Sequence, residues 1–120
     1  MKQFFLIAFL ALSIFANELI VTIVYDDNRA DTVVKTTYEN GETALGILDR
    51  VATIETSKTG KYNFVRSING KLSQKGKYGW FYLIDGQSVH KMASNYKLHD
   101  NKTMTWIYKV EDCYKATSCN

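Results

Sequence analysis

The sequence predicts an α+β domain: a mixed β-sheet of about five strands with one short helix packed on a face. Two observations predict it. Apolar and β-branched residues alternate in five separated segments, which is the period of strands. Only one segment, around Leu45, repeats its apolar residues at spacings of three and four. A helix that short is not stable alone, so it must lie against the sheet and cover it.

The chain opens "MKQFFLIAFLALSIFA". One lysine precedes an apolar run from Phe4 to Leu12, followed by small residues and then Ala16 before the polar Asn17. That order is a secretory signal peptide, residues 1–16, with cleavage expected after Ala16. The run is shorter than the roughly 20 residues a bilayer span needs, and no cysteine stands at the cut to take a lipid. Residues 17–112 then form one domain, expected to be exported, periplasmic or extracellular, and not membrane-spanning.

"ELIVTIVYDD" gives a first strand from Leu19 to Tyr25, apolar enough to be buried on both faces. Asp26 to Asp31 form the turn, and "DTVVKTTYENG" gives a half-exposed second strand, completing a hairpin. In "GETALGILDRVA", Ala44, Leu45, Leu48, Val51 and Ala52 fall on one helical face, with Thr43 as N-cap. Gly46 costs such a helix about 1 kcal/mol against alanine, and is expected to let it lie close to the sheet. "KYNFVRSINGK" alternates with Tyr62, Phe64, Arg66 and Ile68 on one side and Val65 on the other, then turns at Asn69-Gly70. "LSQKGKYG" reads as a basic, flexible loop. "GWFYLIDGQ" is an aromatic strand ending at the Asp85-Gly86 turn, and "SVHKMASNYKLHDN" is irregular. "KTMTWIYKV" sets Met104, Trp106, Tyr108 and Val110 on one face of a last strand. Strand, strand, helix, strand, strand, strand is the order of a β-grasp-like fold.

Net charge is only +3, but it is unevenly placed. Residues 17–55 hold eight acids against three bases, whereas residues 56–84 hold Lys58, Lys61, Arg66, Lys71, Lys75 and Lys77 with no acid. Such a stretch is either a solvated loop or an attractor of an anionic partner. Export and the modest total charge argue against nucleic acid. Cys113 and Cys119 predict a disulfide closing the tail, residues 113–120, worth about 2–3 kcal/mol. Their spacing is neither CxxC nor CxxCH, and zinc would need more ligands.

The densest chemistry is "KYGWFYLIDGQSVHKMASNYKL", residues 77–98. Trp80, Tyr82 and Ile84 share one strand face, and Phe81 and Leu83 the other. Either set can face the core. With Phe81 and Leu83 inward, Trp80 and Tyr82 make an outward aromatic stripe beside lysines, suited to flat, conjugated or glycan ligands; with the opposite choice they are core. The expected ligand-binding residues are Tyr78, Trp80, Tyr82, Gln87 and His90, with Lys75 and Lys77 of the loop from Lys71 to Lys77. His90 and His99 lack an acidic or cysteine partner at metal spacing, so no metal site is expected. Ser88 and His90 have no evident acid or oxyanion hole, and no phosphate-cradling glycine loop is present; no catalytic residues and no enzyme are expected. Asn101-Lys102-Thr103 fits a glycosylation acceptor pattern. Two functions follow: a non-enzymatic domain binding a small flat or anionic ligand, or an envelope module that meets a protein or polysaccharide through its sheet edge.

From Tyr62 onward, "YNFVRSINGK", "GWFYLIDGQSV", Tyr96, Leu98 and "TMTWIYK" resemble the carboxy-terminal β-domain of the vitamin B12 carriers intrinsic factor and transcobalamin, a domain shared by many bacterial exported proteins of unknown function. "GETALGILDRVA" matches the Thr-led short helix of that family, and the resemblance runs from Leu19 to Val110. It implies a β-grasp-like domain. In the two-domain carriers this domain caps cobalamin held against a separate helical domain. No cofactor is read from the residues themselves; cobalamin enters through the resemblance alone.

Overall fold

The structure is a computed structural model that describes residues 17–60 and 62–110. The expected signal peptide and the Cys113–Cys119 tail lie outside the described residues.

The elements run β1 (Asn17–Val24), β2 (Thr32–Tyr38), α1 (Ala44–Val51), β3 (Ile54–Thr59), β4 (Tyr62–Ile68), β5 (Lys71–Leu72), β6 (Tyr78–Ile84), β7 (Gln87–Ser88) and β8 (Thr103–Val110). A five-stranded sheet has the order β2-β1-β8-β6-β7, and a second sheet the order β3-β4-β5. In the first sheet β1 lies parallel to β8, with Val21 beside Met104, and the other pairs are antiparallel. The α+β layout with a mixed five-stranded sheet and one short helix is therefore present.

Alternation sets the core. Leu19, Val21 and Ile23 of β1 and Met104, Trp106 and Tyr108 of β8 turn the same way and are buried. Ala44, Ile47 and Leu48 of α1 and Leu98 are buried in the same core. The segment before β8 is irregular, as expected, and it holds the helix entry. Ala44 and Leu45 donate their amides to the carbonyls of Tyr96 (2.9 Å) and Ala93 (3.0 Å), and Leu98 and Gly41 donate to Glu42 and Leu98, each at 2.9 Å. Amides that a helix cannot pair within its own first turn are thereby satisfied.

Four sequence readings need correction. β1 is buried on one face only: Ile20, between Leu19 and Val21, is 42% exposed, because the second sheet, α1 and the segment before β8 all cover the same side. The strand Tyr62–Ile68 belongs to the second sheet, paired with β3, a polar strand that the alternation rule passed over. The pairing register shifts at Glu55/Thr56 so that Arg66 has no partner, and Ile68 turns inward, off the exposed side kept by Tyr62, Phe64 and Arg66. Gly46 is exposed and does not touch the sheet; a Cβ there would meet Thr43 Oγ1 at 3.1 Å, so the glycine makes room for the N-cap.

Both Gly-containing turns form. Asn69 and Gly70 (φ 50° and 85°) join β4 to β5, and Asp85 and Gly86 (φ 50° and 80°) join β6 to β7. Two consecutive positive φ values match the twist of a two-residue hairpin. Asn69 also ties the sheets together: its Nδ2 donates to the Tyr25 hydroxyl at 2.8 Å and its Oδ1 accepts from the Thr53 amide at 2.9 Å.

Candidate functional site

Register decides the face that the sequence left open. Trp80 pairs with Tyr108 and Tyr82 with Trp106, so both rings lie on the core side of β6, while Phe81 and Leu83 take the opposite face. Trp80 meets Tyr25 edge-on at 6.0 Å and Tyr108 at 5.2 Å, and its Nε1 donates to the Lys71 carbonyl at 2.9 Å. Tyr82 stacks on Trp106 at 5.0 Å, and its hydroxyl donates to the Lys91 carbonyl. Burial pushes the Tyr82 hydroxyl up to about 12. The orientation follows from polar tips: indole N–H and phenol O–H groups that are half-buried take acceptors, and β5 and the loop after β7 supply them.

The start of β6 is different. Tyr78 is half-buried and lies nearly parallel to Tyr108, with centroids 5.4 Å apart and planes 10° apart. The Tyr108 hydroxyl donates to the Leu72 carbonyl at 2.8 Å, and Lys71 Nζ stands 4.8 Å from the Tyr108 ring. Lys71 is itself paired with Asp27 at 3.1 Å. The Arg29 amide and then the Lys71 ammonium hold the Asp27 carboxyl below the usual carboxylate range. Lys75 and Lys77 are exposed and make no ion pair among the described residues. Their loop is closed by the Gln74 and Tyr78 amides, each donating to the other's carbonyl at 2.9 Å.

Not all of the predicted residues come together. Gln87 pairs with Ile84 at the far end of β6 from Tyr78, and His90 lies just beyond it; both are exposed. At about 3.3 Å per residue the two ends are roughly 20 Å apart. Lys77 therefore stands at one end of β6 and Gln87 at the other. His99 precedes β8 at that same far end. Among the described residues no three of His, Cys, Asp and Glu gather at metal-binding distance. The Asn101 amide is engaged, donating to Asp85 at 2.9 Å and accepting from the His99 amide at 3.0 Å.

A cleft missed by sequence reading opens between α1 and the β3–β4 hairpin, with a volume of about 350 Å³. Thr43, Leu45, Gly46 and Asp49 line the helix side, and Ile54, Thr56 and Asn63 the hairpin side, with Ser94 between. The Asn63 side-chain oxygen is buried without a hydrogen-bond partner among the described residues. The available signal was the run of β-branched but polar residues in "TIETSKT", which forms the unrecognised strand and one wall.

Residues 41–110 match a family described as Domain of unknown function (DUF4430). No curated protein matches. Among solved structures, a candidate metal binding protein from Ruminococcus gnavus ATCC 29149 superposes with a TM-score of 0.67 at 12% identity, over 78% of this chain and 97% of that one. Haptocorrin, solved in complex with Cbi (cobinamide), superposes with a TM-score of 0.62 at 12% identity, over 76% of this chain and 25% of that one. The chain thus corresponds to a quarter of haptocorrin. At these identities the likeness is one of fold.

Proposed function

We propose that this chain, which belongs to the DUF4430 family of domains of unknown function, is an exported, non-enzymatic binding domain for a small flat or anionic ligand, with a corrinoid as the first case to test. The carrying observation is the Tyr78–Tyr108 ring pair, nearly parallel at 5.4 Å, next in sequence to the exposed cations Lys75 and Lys77, which make no ion pair among the described residues. A half-exposed ring held flat offers stacking at little conformational cost, and the neighbouring ammonium groups draw in negative charge. Trp80, edge-on to Tyr108 at 5.2 Å, braces this surface. The fold likeness to haptocorrin, solved with cobinamide, supports the corrinoid choice.

The residues here fit such a ligand through its flat ring and polar edge. His90 and His99 both lie apart from Tyr78 in the fold, so neither is placed to reach a cobalt held over that ring. Binding therefore rests on stacking and charge. The test is titration of the mature chain with cyanocobalamin, cobinamide and haem, followed by tryptophan fluorescence. Saturable quenching that weakens at least tenfold in Tyr78→Ala, with circular dichroism unchanged, supports the reading. Absence of saturation, or quenching indifferent to Tyr78→Ala and to Lys75→Gln/Lys77→Gln, overturns it.

A second reading rests on β2, the outer strand of the five-stranded sheet, with Val33 64% exposed on it. A seven-residue strand edge can accept another strand from an envelope protein, and an exposed sheet face can meet a polysaccharide. Specific co-purification of an envelope protein, lost on a proline substitution at Val33 or Lys35, would favour this over the small ligand.

A further inference from the structure

The cleft between α1 and the β3–β4 hairpin is separate from the Tyr78 surface and has the opposite chemistry. Among the described residues, no lysine, arginine or histidine lines it. Asp49 lines it and is exposed, with no ion pair among the described residues. The adjacent Arg50, the nearest cation in sequence, is turned elsewhere: it is bound to the Glu42 carboxylate and to the Thr37 carbonyl, each at 2.5 Å. That leaves Asp49 without an ion pair among the described residues. Across the cleft, the Asn63 oxygen is buried and lacks a donor among them. Groups of this kind are almost always satisfied in folded proteins, and one beside a cleft marks a place where a bound group can supply the missing hydrogen bond.

The remaining walls add detail. Thr56 and Ser94 bring hydroxyls, and Leu45 and Ile54, both half-buried, bring apolar surface. The volume of about 350 Å³ lies at the low end of small-molecule sites. A carboxylate, an unsatisfied amide oxygen and two aliphatic side chains favour a ligand that donates hydrogen bonds from a positive head and carries a short apolar stem.

From this geometry we infer that the α1/β3–β4 cleft binds a small amine in its ammonium form, its head between Asp49 and Asn63 and its stem against Leu45 and Ile54. This site goes beyond the reading at Tyr78 and does not depend on it. An anion is disfavoured because Asp49 would repel it and no cation among the described residues lines the cleft, Lys58, opposite Asn63 in the hairpin, standing outside that lining.

The experiment is two-dimensional 15N–1H NMR of the mature chain titrated with isobutylammonium chloride and, separately, with sodium isovalerate, an anion of similar shape. The expected result is a saturable shift of the Gly46, Asp49, Asn63 and Ser94 amides with the ammonium probe and none with isovalerate. Asp49→Asn, a change at an exposed position that leaves folding intact, should weaken the ammonium titration at least fivefold. Asn63→Leu, which removes the acceptor, should abolish saturation, and Tyr78→Ala should leave it unchanged. The inference is overturned if the ammonium shifts do not saturate, if isovalerate binds equally well, or if Asp49→Asn titrates as the parent does.

Discussion

Asp85 and Thr103 exchange two hydrogen bonds: the Asp85 amide donates to the Thr103 carbonyl, and the Asp85 carboxylate accepts from the Thr103 amide, each at 3.0 Å. The same carboxylate oxygen accepts from the Lys102 amide at 2.8 Å. The tight turn after β6 therefore clamps the first residues of β8, and one side chain serves both as turn residue and as strand anchor.

Asp85→Ala should lower stability by about 1–3 kcal/mol, through loss of these acceptors and through a positive φ that alanine tolerates poorly. Asp85→Asn should cost less, because it keeps an acceptor oxygen and a residue suited to that φ. Burial pushes the Asp85 carboxyl up, but donation by the Asn101 side chain and then by the Lys102 and Thr103 amides outweighs it and holds the group below its ordinary 3.8. With the folded value depressed, the stabilisation is present above about pH 4 and lost as the pH falls through the lower folded value. Urea midpoints of parent and Asp85→Asn should differ at pH 7, and the gap should narrow as the pH falls below the ordinary carboxylate range. A gap that persists in acid would mean that charge plays no part.

Tyr82 sets the alkaline limit. Its hydroxyl titrates near 12 because burial penalises the phenolate. The folded value is raised above the ordinary 10.0, so the stabilisation is whole below pH 10 and declines as the pH rises towards 12. Alkaline absorbance titration at 295 nm should show a class of tyrosines ionising after the exposed ones in the parent, to which Tyr38, also raised by burial, contributes, and Tyr82→Phe should lose the latest step of that class. The substitution should also cost about 1 kcal/mol at pH 7 for the lost bond to the Lys91 carbonyl. A parent that titrates as one uniform class would show that the ring is not shielded.

The parts of the fold that were legible in the sequence are those where period and turn chemistry agree. β2 and β8 alternate, β1 and β6 are runs of β-branched and aromatic residues, Asn69-Gly70 and Asp85-Gly86 take the two positive φ values a short hairpin needs, and Thr43 caps α1. β3 was illegible because its residues after Ile54 are exposed and polar, so no hydrophobic pattern marks it; its pairing with β4 is what makes it a strand. The facing of Trp80 was undecidable locally, since both faces of β6 carry large apolar residues. It is decided by Lys71, whose carbonyl, nine positions earlier, takes the indole proton. The cleft was hidden for the same reason as β3, as its walls come from a helix and a hairpin that no sequence rule places side by side.

Gly46 and Thr43 offer the sharpest separation of local from packing effects. Helix propensity alone says that Gly46→Ala stabilises by about 1 kcal/mol, since the glycine is exposed in an eight-residue helix. The new methyl would sit 3.1 Å from Thr43 Oγ1, closer than such atoms normally approach. That oxygen accepts from the Gly46 amide at 3.1 Å, and losing a cap of this kind costs about 0.5–2 kcal/mol. The two effects oppose, so Gly46→Ala in the parent should stabilise by no more than about 0.5 kcal/mol. In a Thr43→Ala background there is no cap to displace, and the same substitution should stabilise by the full helix-propensity difference of about 1 kcal/mol. A double-mutant cycle by urea denaturation reads the coupling directly. Equal effects of Gly46→Ala in both backgrounds would mean that the glycine is not there for the cap.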